Sequence, residues 1–468
     1  MANNSISKVL KIFYPVGDDL KEMVEANPNA AVLSILIPSF FSLFCLTLNG
    51  FVDSIFVAEC GSTSLIGVGV IQSIFVIVVG IGTGLSVATN SSLSYTIGKY
   101  SRGENARRII DNSIILTLII GIVSSVILVT FLKPILLLLN IGNALDPALT
   151  YGTVLFSGNI FFFFAAVIPS ILKAEGEVVK ATVSFISTSI LNIFLDYLLI
   201  NVLGYGVFGA ACATTFCSAL CCLLLVYFMV KSEKINISPN IFSDVDFGVM
   251  KKIFIDSIPV AFECGVLSLF SFFANMLFNF FTNPADFAAF IASYKVYNMA
   301  IIPAIALAEA NVTVVAYLYG IGDFDTMNDL LKYEFKLITI VMVALFALIT
   351  LFRTPIAYIY SISNPQALIS SVEMALPLLN IILVIMPFGI LSVSVLQGVQ
   401  AYRESFIVSS IRSIALEIVL GFIFAYVMGN TFGIYIGFII GAILGCILSF
   451  YITEKIILKK KEENAEVS

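Results

Sequence analysis

Residues 48–53 read Leu-Asn-Gly-Phe-Val-Asp, and residues 191–196 read Leu-Asn-Ile-Phe-Leu-Asp. Each stretch places an aspartate four residues after an asparagine inside a long apolar run. Four residues are slightly more than one helical turn, so the two polar side chains share a helix face. A carboxylate in hydrocarbon costs at least about 2.5–3.5 kcal/mol. We therefore expect the two aspartates, Asp53 and Asp196, to mark a functional site.

Apolar runs of this kind recur along the whole chain. The chain has 468 residues, a mean hydropathy of +1.05 and only 12% charged residues, a composition that excludes a soluble globular protein. A helix needs roughly 20 apolar residues to cross the hydrocarbon core of a bilayer. The sequence therefore predicts an all-α membrane protein with twelve spans, at approximately 31–58, 65–92, 109–131, 151–172, 181–204, 207–229, 256–281, 287–318, 335–353, 376–398, 404–427 and 433–456.

The basic residues predict the orientation of these spans. If the amino terminus is cytoplasmic, 20 of the 24 Lys and Arg residues lie in cytoplasmic segments or at the cytoplasmic ends of spans. Lys133 and Arg353 then lie outside, and Lys295 and Arg412 lie within spans. Because short loops rich in Lys and Arg stay on the cytoplasmic side, we expect both termini to face the cytoplasm. The protein is then a multi-pass protein of the plasma or inner membrane.

One long polar interruption, Lys231 to Lys252, divides the twelve spans six and six. It has the composition of a linker between two bundles. We therefore predict five segments: a cytoplasmic amino-terminal segment (1–30), a first lobe (31–230), a cytoplasmic linker (231–252), a second lobe (253–458) and a cytoplasmic tail (459–468).

The two halves show internal similarity. Residues 171–176, Ile-Leu-Lys-Ala-Glu-Gly, resemble residues 395–400, Val-Leu-Gln-Gly-Val-Gln. Residues 95–98 likewise match 317–320 at an offset of 222, which maps the first aspartate onto Asn275. Because each half has an even number of spans, the repeats are parallel. This pattern predicts two pseudo-symmetric six-helix bundles around a central cavity, an arrangement that transporters use.

With these halves and motifs, the chain resembles the multidrug and toxic compound extrusion family from about Ile35 to Lys455. The order and spacing of the motifs are more specific than any one of them. The motifs are Asn-Gly-Phe-Val-Asp-Ser-Ile-Phe-Val at 49–57, Lys-Ala-Glu-Gly at 173–176, Leu-Asn-Ile-Phe-Leu-Asp at 191–196 and Gly-Val-Phe-Gly-Ala-Ala at 206–211.

The resemblance implies secondary active export of cationic or amphiphilic organic compounds, such as drugs and toxins, in exchange for protons or sodium ions. The two bundles would rock to expose the cavity to either side. In the branch with coupling acids in the first lobe, the cation site falls on Asp53, Asn192, Asp196 and Thr214, with Asn49 in support. We expect small organic cations and the lipid bilayer as partners, no nucleic acid, no organic cofactor and a monomeric protein.

The sequence departs from that branch at two positions. Where the branch often has an asparagine near the end of the fourth span, this chain has Pro169-Ser170. The acid that another branch carries in the tenth span is missing, since residues 386–390 read Met-Pro-Phe-Gly-Ile. Coupling through the second lobe is therefore not expected.

The residues at the site leave the coupling ion open. Two carboxylates in a dehydrated pocket repel each other and burial disfavours their charged form, so one of them should bind a proton readily. The same oxygens could instead ligate sodium through Asp53 and Asp196, since hard cations prefer oxygen ligands. Thr214 is equally compatible with a hydroxyl that bonds back to its own helix. All of these residues form one site only if the first, fifth and sixth spans are neighbours.

The second half contains further candidates for substrate binding. Glu263 and Glu309 lie nearer the cytoplasmic side, where either could bind a cationic compound, and Asn275 is the repeat counterpart of the first aspartate. Arg412 and Glu417 are five residues apart and do not share the face of an α-helix, so the sequence does not assign them as a pair.

Three other functions compete with cation-coupled export. A lipid-linked oligosaccharide flippase would use two bundles as well, but such proteins more often have fourteen spans and a cationic cavity. A membrane-embedded enzyme is disfavoured because the chain has no His, no Gly-rich phosphate loop and no nucleophile–base set. A channel is disfavoured because pores are usually lined by repeated rings of like residues.

Overall fold

The computed structural model describes residues 20–238, 241–360 and 366–467. Residues 1–19 of the predicted amino-terminal segment therefore lie outside the described residues. Every regular element in the described part of the chain is helical, as the composition predicts.

The chain divides into two compact units, Met1–Cys264 and Gly265–Ser468. The division falls within the seventh span, twelve residues after the end of the predicted linker, and the predicted lobe boundaries stay a prediction. The helices up to this span are α1 Leu20–Ala26, α2 Pro28–Glu59, α3 Ser62–Tyr100, α4 Glu104–Leu138, α5 Leu145–Ser157, α6 Asn159–Ala174, α7 Val178–Asp196, a π-helical segment Tyr197–Val202, α8 Gly206–Val230 and α9 Phe247–Phe281.

The second unit continues from the later part of α9 with the same kinds of element. Its helices are α10 Pro284–Ala300, α11 Ile302–Ile321, α12 Phe324–Leu351, α13 Arg353–Tyr360, α14 Gln366–Asn380, α15 Ile382–Gly398, α16 Tyr402–Ser410, a second π-helical segment Ile411–Ile418, α17 Val419–Met428 and α18 Thr431–Val467.

Among the described residues, eleven helical segments are long and apolar enough to cross a membrane, and a bent pair supplies a twelfth. The bent pair is the fourth span, in which residues 142–157 and 159–174 meet at an angle of 48°. The break lies at Gly158, where an added Cβ would overlap the methyl group of Thr215. The predicted all-α class with twelve spans is confirmed.

Packing in the first unit brings together the spans that carry the predicted site. Helix α2 packs along α7, α7 packs along α8, and α2 also touches α8. Helices α5 and α6 of the bent fourth span pack against α8 from another side. The first, fifth and sixth spans are therefore neighbours, as one shared site requires.

The turn that ends the fourth span repeats at the end of the tenth. In the first unit, Glu177 N donates to Leu172 O at 2.7 Å and the chain takes a positive φ of 80° at Gly176. In the second unit, Ala401 N donates to Leu396 O at 2.7 Å, with a φ of 60° at Gln400. Both turns close the helix with the six-to-one bond of a Schellman motif. The similarity of 171–176 to 395–400 therefore reflects the same local structure, at an offset of 224.

The Lys-Ala-Glu-Gly motif also fastens this turn to its neighbour. Glu175 is only 1% exposed, and its Oε2 lies 2.7 Å from Nε of Arg102, in the connection between α3 and α4. A buried carboxylate needs such a partner. The motif therefore joins the end of the fourth span to the end of the second.

The polar linker is held against the first unit. Asp111 on α4 is buried and accepts hydrogen bonds from the backbone N–H and the hydroxyl of Ser238. Asn112 accepts from Asp246 N at 2.8 Å, and Arg108 pairs with the Asp246 carboxylate at 3.1 Å. The described linker residues therefore pack on the third span instead of bridging through solvent.

The π-helical segment Ile411–Ile418 corrects one expectation. Arg412 and Glu417 were expected on different faces because α-helical spacing separates residues five apart. A π turn closes with a bond from residue i to residue i+5, so residues five apart lie one above the other. The two side chains share a face of the eleventh span, although they do not form a direct ion pair.

Candidate functional site

A polar cluster lies where α2, α7 and α8 meet. The amide of Asn49 donates to Oδ1 of Asn192 at 2.6 Å, which ties the first span to the fifth. Asn192 and Asp196 are each only 1% exposed, and both lie on α7 one turn apart. The two Asn–Asp stretches that open the sequence thus meet in space.

The carboxyl groups of Asp53 and Asp196 face each other across this cluster. They are hydrogen-bonding partners when one of them carries a proton. Among the described residues, Oδ1 of Asp53 and both carboxylate oxygens of Asp196 have no donor. Two ionised carboxylates can only accept hydrogen bonds, so without a cation they repel each other. When they share a proton, one carboxyl group becomes a hydrogen-bond donor to the other, and a hydrogen bond replaces the repulsion.

Tyr151 is a member of the cluster that sequence reasoning missed. It lies on α5, is 5% exposed, and its phenol interacts with the hydroxyl of Thr214 and with the charges of Asp53 and Asp196. A tyrosine at the end of an apolar run is typical of the membrane interface, so its spacing gave no signal. The packing of α5 against α8 brings it into the site.

The hydroxyl of Thr214 makes both of the contacts expected for it, one with its own helix and one within the polar cluster. Its hydroxyl donates to the carbonyl of Ala210 on its own helix at 3.0 Å, and it is also the partner of the Tyr151 phenol. The backbone bond uses the only hydrogen of the hydroxyl, so Thr214 can offer its lone pairs to Tyr151 or to a cation.

Several polar atoms of the cluster are buried without a hydrogen-bond partner among the described residues. The Asn49 Oδ1 and Asn192 Nδ2 atoms are buried and have no hydrogen-bond partner among the described residues. The thiol of Cys217 on α8 lies against Asn192. A buried polar atom without a partner costs about 1–3 kcal/mol. Such a cluster is therefore suited to a ligand or proton that completes its bonds.

The predicted substrate residues lie elsewhere. Asn275 is exposed on α9, whereas Glu263 and Glu309 are half-buried, on α9 and α11. Glu263 belongs to the first unit, and Asn275 and Glu309 belong to the second. Their role in binding a compound stays a prediction.

The carboxyl groups of the cluster can share a proton directly. The cluster's oxygen atoms are also of the kind that bind a small hard cation. Within the described residues, no group of three or more His, Cys, Asp or Glu side chains could hold a metal ion. A sodium ion would therefore depend on the two carboxylates together with the neutral oxygens of Asn192 and Thr214, which are ligands that hard cations accept.

Comparison with known proteins identifies the kind of chain that shares this architecture. The sequence model of the MatE family matches residues 38–198 and 259–423. The two matched segments fall in the two halves of the chain, and together they cover more than half of it. The first contains Asp53, Asn192 and Asp196, and the second contains the eleventh span up to Ile423.

Individual relatives agree with the family match. The protein described as "Probable multidrug resistance protein NorM" of Thermotoga maritima is 25% identical over 346 residues, which are 72% of each chain. A solved structure of an outward-facing multidrug resistance MATE family transporter of the MOP superfamily is 26% identical, with a TM-score of 0.88 over 93% of this chain and 97% of that chain. A MOP superfamily transporter from Pyrococcus furiosus, whose binding pocket of reverse polarity suggests a different function, is 27% identical, with a TM-score of 0.87 and the same coverage.

Proposed function

Because this chain belongs to the MatE family, we propose that it exports small cationic or amphiphilic organic compounds in exchange for protons that enter through the Asp53–Asp196 pair. The multidrug relatives support the substrate class, since they are described as multidrug resistance and export proteins. The protein is a membrane transporter by family, and the compound, the ion and the coupling are our proposal.

The contact between the two carboxyl groups is the observation that supports a proton as the coupling ion. A proton shared by Asp53 and Asp196 removes their repulsion without needing a coordination shell or free space. Sodium would instead need several oxygen ligands arranged around it at coordination distance. The geometry of the pair therefore favours the proton, and sodium is the alternative that the experiment distinguishes.

Proton binding at this pair acts on the helices that carry it. Asp53 lies on α2, whereas Asp196 lies on α7 directly before the π-helical segment Tyr197–Val202. With the pair deprotonated, repulsion between the carboxylates favours separation of α2 from α7. With one proton bound, the hydrogen bond favours their approach. A ligand can shift a conformational equilibrium only through such a difference in affinity between states.

The remaining features of the proposal follow from the function. The protein works as a monomer in the plasma or inner membrane with both termini in the cytoplasm, and it carries out no covalent chemistry. The charge distribution supports this orientation, since most Lys and Arg residues lie in segments on one side. No organic cofactor is needed, because the ion gradient supplies the free energy.

The test is dye export from proteoliposomes under three conditions: an imposed proton gradient, an imposed sodium gradient, and neither. We expect a fluorescent lipophilic cation to move against its gradient only when protons can flow in the opposite direction. Movement driven by sodium alone would show that the coupling ion is sodium and not the proton. No movement under either gradient would refute cation export and direct attention to anionic lipid-linked substrates.

Tyr151→Phe should slow proton-driven export about two- to tenfold. The substitution removes one hydroxyl that contacts Thr214 and faces both carboxyl groups, and a hydrogen bond of this kind contributes about 0.5–1.5 kcal/mol. Initial rates of dye export at a fixed proton gradient measure the effect. Tyr197→Phe is the matched control, because Tyr197 directly follows Asp196 but is 53% exposed. Equal rates for the two variants would show that Tyr151 has no role in the site.

A further inference from the structure

The second unit contains a buried charged pair that the proposed function does not use. Arg412 is 4% exposed and Glu417 is 1% exposed, both on the π-helical segment Ile411–Ile418. Nε and Nη1 of Arg412 and Oε1 of Glu417 have no hydrogen-bond partner among the described residues. Buried charges in proteins are nearly always paired. Two that share a helix face without direct contact therefore need an explanation.

The surrounding helices are shaped to admit these side chains. An added Cβ at Gly389 on α15 would overlap Nη1 of Arg412, and one at Gly445 on α18 would overlap the Arg412 side chain. At Gly441 an added Cβ would lie 2.5 Å from Cα of Glu417. The guanidinium fits because two neighbouring helices carry no side chain at these points. The charged pair is therefore an integral part of the packing.

The ionisable groups that face Glu417 come from three elements. Arg412 lies on its own helix, Tyr294 and Tyr297 come from α10, and Cys446 comes from α18. On α15 the neighbour of Arg412 is Gly389, which carries no ionisable group. Arg412 is the only permanent charge among these groups, because guanidinium stays protonated in proteins. The charge of the cluster therefore depends on the state of Glu417.

Glu417 follows its turn by about as many residues as the carboxyl site of the first unit follows the equivalent turn. Asn192 and Asp196 follow the positive-φ turn at Gly176 by 16 and 20 residues, and Glu417 follows the equivalent turn at Gln400 by 17 residues. The two turns have the same hydrogen bonds and begin equivalent spans. Each unit thus contains a buried carboxylate at a similar distance along the span that follows this turn.

A proton is the ligand that suits this position. A metal cation would have to sit beside the permanent charge of Arg412, which repels it, and would need several oxygen ligands. A proton needs neither, since it forms one O–H bond on Glu417 and comes from the surrounding water. We propose that Glu417 is a second proton-binding site, at which a proton and the guanidinium of Arg412 compete for one carboxylate.

The competition gives the site two states. With Glu417 ionised, its charge neutralises Arg412 across one π turn. With Glu417 protonated, the buried guanidinium loses its counter-charge, which costs several kcal/mol unless water or a new partner reaches it. Proton binding therefore favours rearrangement of the π-helical segment. The use of this step in export rests on the proposed function, whereas proton binding at Glu417 does not.

Infrared difference spectroscopy of the purified protein in lipid nanodiscs tests proton binding directly. Stepping the pH in the wild type should produce a reversible carbonyl band from protonated carboxyl groups. We expect Glu417→Gln to remove one part of this band and Asp53→Asn to remove a different part, with the two losses adding in the double variant. An identical pH-dependent band in wild type and Glu417→Gln would overturn the proposal.

Substitution of Arg412 tests the competition. Removing the positive charge in Arg412→Gln should let the Glu417 band persist to pH values higher by about one unit or more. Arg412→Lys, which keeps the charge, is the matched control and should stay close to wild type. An unmoved midpoint in folded Arg412→Gln would refute the competition; if that variant does not fold, the Glu417→Gln spectrum alone decides the proton site.

Dye export is measured separately, so that the two proposals fail independently. Glu417→Gln should lower proton-driven export at least fivefold, and unchanged export would refute a role in coupling. If the wild type exports no cation under any gradient, the proposed function fails, while the infrared result still decides whether Glu417 binds a proton.

Discussion

Asp196→Asn should reduce proton-driven export to the level of protein-free liposomes. Asn cannot exchange a proton, so the pair with Asp53 keeps a hydrogen bond but loses the two states that couple the ion to α2 and α7. Asp196 is 1% exposed and lies on α7, which packs along α2. Asp53→Asn should have the same effect, and the double variant no larger one, because residues that act as a unit are not additive.

Binding and folding controls separate lost coupling from lost structure. Asp196→Asn should bind the dye within about threefold of wild type and elute as the same species, since the amide fills the same space. Asp146→Asn is the matched control, because Asp146 is an exposed carboxylate in the first turn of α5. Export above half of wild type in either Asp53→Asn or Asp196→Asn would refute the proposed site.

Much of the fold could be predicted because hydrocarbon allows so few structures. Every backbone polar group in a bilayer must be satisfied within its own segment, so apolar runs of sufficient length are helices. The similarity of 171–176 to 395–400 predicted a repeat, and the hydrogen bonds at Gly176 and Gln400 show the shared turn. The sequence did not show that the first and fifth spans are neighbours, and the hydrogen bond between Asn49 and Asn192 is a finding of the structure.

Two parts of the site could not be predicted because they depend on departures from the regular α-helix. Tyr151 lies on α5, the segment before the 48° break of the fourth span, and no single residue type predicts such a bend. Arg412 and Glu417 share a face because their segment is a π-helix. Hydrophobic spacing assumes the α-helical period throughout, so it cannot detect a local change of winding.

The sequence also contains a signal for close helix packing. Glycines recur every fourth residue along α18, at Gly433, Gly437, Gly441 and Gly445. Residues four apart share a helix face, and small residues at this spacing let membrane helices approach closely. The stripe lies against the eleventh span, and it is the same surface that leaves room for Arg412 and Glu417.

Gly437→Leu should prevent the second unit from folding. An added Cβ at this position would lie 2.5 Å from Cα of Gly421, and at Gly441 it would lie 2.5 Å from Cα of Glu417. These contacts are closer than real Cβ atoms tolerate, and backbone atoms cannot move aside as a side-chain end can. We expect little monodisperse protein on size-exclusion chromatography for Gly437→Leu or Gly441→Leu. Gly437→Ala adds this Cβ alone, so the two helices would have to separate less than for Leu, and we expect the variant to fold with a stability lower by about 1–3 kcal/mol.

Gly69→Leu is the matched control for the glycine stripe. Gly69 also lies within a membrane-spanning helix, α3, but an added Cβ there has nothing within 4 Å. Both substitutions add the same apolar surface and remove the same backbone freedom, so only the approach of α18 to the eleventh span separates them. A Gly437→Leu protein that elutes and melts like Gly69→Leu would show that these two helices do not pack at backbone distance, and the packing that buries Arg412 and Glu417 would then have to be reconsidered.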